Sequence, residues 1–226
     1  ATSNEEGWYK KALDTDLARP KFAIMNPEIT YTLPDYQTQC GCADIMMHTM
    51  ERYFVLEDTM EITDKIAQDV MKNVMKYAKI LKKDPENYEA RAEIMWCGSL
   101  SHNGLTGCGT CGGDWATHLI EHELGGMFDV AHGAGLAAVW GSWARYVMDE
   151  KPERFAQFAV DVMGVEESDD VKSTALKGIE AVEDFYRMIG KAVNFVVVAG
   201  LPLTIYFMLY ASESNFHSAD IPHDIL

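Results

Sequence analysis

Between residues 63 and 83 the apolar side chains Ile66, Val70, Val74, Tyr77, Ile80 and Leu81 keep to helical steps, and the run ends on Lys82-Lys83-Asp84-Pro85. Only a repeat near 3.6 residues brings these positions to one face, so the spacing predicts an amphipathic helix with a basic last turn and a proline stop. The same texture returns along much of the chain. From Pro34, which suits a first helical turn, Cys42, Ile45, Met46, Thr49 and Tyr53 continue a stripe. Segments 87–100, 136–148, 153–162 and 170–189 read as further helices. Five or more helices without a convincing alternating strand make the expected fold an all-α helical bundle.

The punctuation divides the chain into three. Residues 1–33 carry Pro20 and Pro27, with Pro34 following directly, and read as an entry segment of loop and brief extended pieces. Residues 34–190 form the helical domain. Residues 191–226 form an apolar tail whose stretch 192–211 holds no charge and is long enough to span a bilayer. Asn194, Gly200 and Pro202 interrupt it and no polybasic flank accompanies it, so a buried hairpin or core helix is expected in place of a membrane span. The first residue is Ala, and the chain is expected to be part of a longer protein.

Charge and cysteine usage narrow the setting. A net charge of −16 and a pI near 4.7 exclude a basic stripe for phosphates, so nucleic acid is not an expected partner. The five cysteines are an odd set with no leader pattern ahead of them, which favours the reducing cytoplasm. Cys108-Gly-Thr-Cys111 has zinc-knuckle spacing, but Cys40-Gly-Cys42 is a poor second half, so a four-thiolate zinc site is disfavoured.

Chemistry concentrates elsewhere. His118, His122 and His132 lie in one fifteen-residue stretch, preceded by the glycine-dense loop 104–113 and by Asp114, a candidate helix cap. Neutral imidazole binds Zn²⁺ or Fe²⁺, so such a cluster points to a metal. Asp44 and His48 stand at i and i+4 on the helix after Pro34, where both can reach one ion. An aspartate with histidines leaves the ion positively charged with an open position, as in a catalytic site.

Spacing alone leaves open which histidines bind. His118 and His122 form the natural i, i+4 pair, and His118-Leu-Ile-Glu121-His122 matches the inverted zinc-peptidase pattern, with Glu121 as general base and Glu180 or Glu183 as third ligand. That reading gives Asp44, His48 and His132 no role.

A wider set of motifs points to another family. Asn26-Pro-Glu-Ile-Thr-Tyr-Thr-Leu-Pro34, Asp44-Ile-Met-Met-His48, Asn87-Tyr-Glu-Ala-Arg-Ala-Glu-Ile-Met-Trp96, Gly113-Asp-Trp-Ala-Thr-His118 and Ala131-His-Gly-Ala-Gly-Leu-Ala137 together resemble the iron-containing alcohol dehydrogenases, nearest the butanol dehydrogenase group, from about residue 17 to 190. The resemblance implies the C-terminal helical domain of a dehydroquinate synthase-like fold. It implies metal ligands at Asp44, His48, His118 and His132, and a place for His122 beside the nicotinamide and substrate. The implied reaction is hydride transfer between NADPH or NADH and a primary alcohol or its aldehyde. The implied ion is Fe²⁺, with Zn²⁺ as the alternative, and a homodimer is expected of the intact protein.

The chain also departs from that pattern. Family members begin with a nucleotide-binding α/β domain, and nothing here resembles it. Glycines 107–113 follow a helix and not a strand, a poor context for a phosphate cradle. The chain is therefore expected to bind metal without dehydrogenase turnover unless that half is supplied. An inactive helical interaction domain is the remaining alternative.

Overall fold

The computed structural model describes residues 2–4, 7, 9–11, 15–56 and 60–191. Among these residues six α-helices follow the expected stripes and a seventh, α4, follows the Asp114 cap: α1 (Asp35–Tyr53), α2 (Glu61–Leu81), α3 (Tyr88–His102), α4 (Ala116–Phe128), α5 (His132–Val147), α6 (Pro152–Asp161) and α7 (Val171–Met188). The all-α bundle expected from the sequence is what forms. Local chemistry sets the ends: Asn87 and Asp170 cap α3 and α7 by accepting from Ala90 N and Lys172 N, and Pro152 opens α6.

One detail fills in the sequence reading and one differs from it. The entry segment contains a two-stranded antiparallel ribbon, β1 (Thr2–Asn4) with β2 (Tyr9–Lys11), and β2 lies against α4. Helix α5 begins at His132, four residues before the apolar stripe begins at Leu136. Its first turn is built from Gly133, Ala134 and Gly135, which carry no apolar side chain long enough to signal a helix. The uncharged run 192–211 lies outside the described residues. Among those described, no helix is long and apolar enough to cross a membrane.

Helix α1 is the axis of the bundle and packs on α2, α3 and α5. Its Met46, Met47 and Met50 are fully buried, and unbranched methionine side chains fill the irregular gaps among three neighbours. Leu136, Trp140 and Trp143 bring α5 into the same core. At the far end of α1, Phe54 stacks on Phe155 of α6 at 4.3 Å. Arg154 joins α6 to Asp64 of α2 through two 2.6 Å bonds, donates to the Tyr53 carbonyl, and lies over the Tyr53 ring. Helices α6 and α7 meet closely because Gly178 faces Ala159, where a Cβ would collide.

One close approach positions the site. Gly133 lies against the backbone of Cys40, so that any Cβ there would strike the Cys40 carbonyl. The contact lets the N-terminal turn of α5 rest on α1 one turn from Asp44.

Candidate metal centre

Asp44 and His48 share one face of α1, His118 comes from the first turn of α4, and His132 is the first residue of α5. Asp44 Oδ1 is the point on which they converge. It stands 3.7 Å from His48 Nε2, 3.6 Å from His118 Nε2 and 3.5 Å from His132 Nε2. Donor atoms arranged tetrahedrally at bonds of about 2.1 Å lie roughly 3.4 Å apart, close to each of these three distances. Asp44, His48 and His118 offer donors within 4.8 Å of one another, while His132 reaches Asp44 from a second group that it forms with Glu121 and His122.

Two further observations fit that ion. Asp44 Oδ1 and His118 Nε2 are buried without a hydrogen-bond partner. Buried polar atoms are ordinarily satisfied, and a single cation would satisfy both of these. The other ring nitrogens are held from behind: His118 Nδ1 bonds the Glu51 carboxylate and His132 Nδ1 bonds Glu121. Carboxylates behind the rings assign the N–H to Nδ1 and turn the Nε2 lone pairs toward Asp44, the outer arrangement that orients metal-binding imidazoles. Glu51 also accepts from the His118 backbone N–H at 3.1 Å.

The electrostatics follow from these neighbours. Burial opposes the Asp44 charge, but His102 and His118, with the fields of His48 and His132, hold its carboxyl far below the usual carboxylate range. Burial likewise opposes a charge on His118, yet Asp44 and Glu51 on its two sides push it up to about 9. Burial dominates at His48, against the pull of Asp44, and brings it down to about 3. Burial and then the Lys10 ammonium bring His122 down to about 4, so its ring is neutral at neutral pH.

His122 does not join the convergence on Asp44. Its ring centroid lies 6.3 Å from that of His118 and 5.5 Å from that of His132, on the α4 face one turn beyond the cluster. His122 instead shares a second donor group with Glu121 and His132.

Among the described residues the peptidase geometry finds no counterpart. Glu121 is fully buried against His132 and Lys10, Glu183 pairs with Arg145 and Arg187, and Glu180 is exposed. Among the described residues, two clusters could hold an ion, one of Asp44, His48 and His118 and one of Glu121, His122 and His132, and neither contains Glu180, Glu183 or a cysteine. The second cluster already holds a cation of the chain itself, for Lys10 Nζ lies 3.0 Å from Glu121 and 3.3 Å from His132 Nδ1. Asp114, read from sequence as a cap, accepts from Ala116 N at 2.9 Å at the start of α4.

Several site residues carried no sequence signal. Glu51, His102, Lys10 and Trp115 join the site only through tertiary contacts. Trp115 sets its ring edge-on to His48 and His118, both at 5.3 Å, under the Arg52 guanidinium.

Residues 38–198 match the model of the Fe-containing alcohol dehydrogenase family, C-terminal. The chain belongs to the iron-containing alcohol dehydrogenase family. It is 35% identical over 189 residues to NADH-dependent butanol dehydrogenase A of Clostridium acetobutylicum, covering 83% of this chain and 48% of that one. It is 34% identical over 182 residues to the NADPH-dependent aldehyde reductase YqhD of Escherichia coli, covering 80% and 46%. The crystal structure of a butanol dehydrogenase A from Thermotoga maritima superposes with a TM-score of 0.84 at 34% identity, covering 95% of this chain and 54% of that one. The helical bundle is thus the C-terminal domain of the iron-containing alcohol dehydrogenase fold, and the chain spans about half the length of the relatives it matches.

Proposed function

We propose that this chain is the metal-binding part of an oxidoreductase that interconverts a small primary alcohol and its aldehyde with NADH or NADPH. Asp44, His48, His118 and His132 would hold a divalent ion, Fe²⁺ by family and Zn²⁺ by donor chemistry. The observation that carries this reading is the approach of three imidazole Nε2 atoms to Asp44 Oδ1 at 3.5 to 3.7 Å. Relatives named as NADH-dependent butanol dehydrogenases and an NADPH-dependent aldehyde reductase support the substrate class and leave both nicotinamides open.

When bound, the ion supplies Lewis acidity toward the substrate oxygen. The chain's own residues do the rest. Glu51 and Glu121 accept from Nδ1 of His118 and His132 and leave Nε2 as the nitrogen that would face the ion, which on binding would displace the Nε2 proton of His118. His122, beside the cluster, would pass the hydroxyl proton or orient the reacting ring. The acidic surface suits a small neutral substrate and no nucleic acid. A homodimeric intact protein in the cytoplasm completes the reading.

Metal analysis of the purified chain tests the ligand set. Asp44→Ala and His132→Ala are expected to lose the ion, whereas His122→Ala retains it. Loss at His122 with retention at Asp44 and His132 would instead favour the peptidase geometry.

A further inference from the structure

His48 differs from the other imidazoles of the cluster in what holds it. Glu51 bonds Nδ1 of His118 and Glu121 bonds Nδ1 of His132, but Nδ1 of His48 is buried without a hydrogen-bond partner. The His48 ring is therefore oriented by packing. His102, in the last turn of α3, lies across it with centroids 3.8 Å apart and planes at 35°.

The same His102 ring reaches Asp44. Its Nε2 stands 3.4 Å from Asp44 Oδ2, the oxygen that does not face the three histidines. Engaging Oδ2 fixes the carboxylate plane and leaves Oδ1 turned to the Nε2 atoms. With Nε2–H turned to Asp44, Nδ1 of His102 accepts from the Ser101 hydroxyl at 2.7 Å, and Ser101 is fully buried. The ring is thus pinned at both nitrogens and on one face, although its side chain is 43% exposed.

We propose that His102 is a positioning residue of the metal centre, holding Asp44 through Oδ2 and His48 by stacking. It does for these two ligands what Glu51 and Glu121 do for His118 and His132. Its Nε2 faces Oδ2, whereas Nε2 of His48, His118 and His132 face Oδ1, so it stands behind the carboxylate and not beside the ion. The inference rests on the ligand set proposed above.

Cobalt titration of the whole chain reads both affinity and ligand number. His102→Ala is expected to weaken Co²⁺ binding roughly ten- to hundredfold, the range for loss of an outer partner. The imidazoles on the ion, counted from paramagnetically shifted ring N–H protons, should be the same in both proteins. His102→Gln keeps a donor for Asp44 and His102→Phe keeps a ring over His48, and each should recover part of the affinity. These two variants carry the comparison if His102→Ala loses its helical circular dichroism. Unchanged affinity in all three variants overturns the proposal, as does an imidazole count that falls by one without His102, which would make it a ligand. If the unaltered chain takes up no Co²⁺, the ligand set itself fails and this role fails with it.

Discussion

Gly133 shows how a single missing side chain can control the centre. The backbone of α5 rests on the Cys40 carbonyl of α1 at that point, and His132 is its immediate neighbour. Gly133→Ala must push the first turn of α5 away from α1, so His132 Nε2 should withdraw from Asp44. The expected cost is about 1 to 3 kcal/mol of stability, as for other overpacked contacts, together with weaker metal binding. Thermal denaturation and competition with a chelator read the two effects, and an alanine variant equal to the parent in both would refute the coupling. This dependence was not readable from the sequence, where Gly133 lay in a short stretch between two expected helices. Residue types and spacing drew Asp44, His48, His118 and His132 together as candidates, with the choice among the histidines left to the family resemblance, and the structure brings all four side chains to one place. Their outer partners were not, since Glu51 lies 67 residues from His118 and no local pattern records that contact.

The helices were largely legible because each carries its own apolar stripe and its own stop. Burial then decides details the stripe omits, such as the glycine-bearing first turn of α5. The joints between helices are a different matter, because they depend on polar side chains that look ordinary in sequence. Arg154 and Asp64 form such a joint: both are buried, and the guanidinium also holds the last carbonyl of α1 at Tyr53. Removing one partner leaves the other charged and enclosed. Arg154→Met should therefore destabilise the domain by about 3 to 5 kcal/mol, which at this chain length lowers the melting temperature on the order of 10 °C. The companion change Asp64→Leu should restore much of the loss by removing the stranded carboxylate. Calorimetry of the single and double variants checks both expectations, and a double variant no more stable than Arg154→Met would contradict this account.

For the molecule as a whole, a helical bundle with a well-formed donor cluster covers about half the length of the relatives it matches. The expectation is a chain that takes up one ion and, mixed with butanal and NADH or NADPH, consumes no nicotinamide. Absorbance at 340 nm measures it, and robust turnover by these 226 residues would show that expectation to be wrong. Distribution of the donors over α1, α4 and α5 has a consequence for how the ion enters. A chain still emerging or partly folded offers only neighbouring pairs such as His118 with His122, which grip an ion through two contacts. The full set exists only after α5 has settled on α1 and α4 has turned His118 onto Glu51. If the proposed ligand set holds, loading of the ion would be a checkpoint on assembly: the metal would sample the finished tertiary structure, and a chain whose helices had docked wrongly would be marked by its failure to keep one.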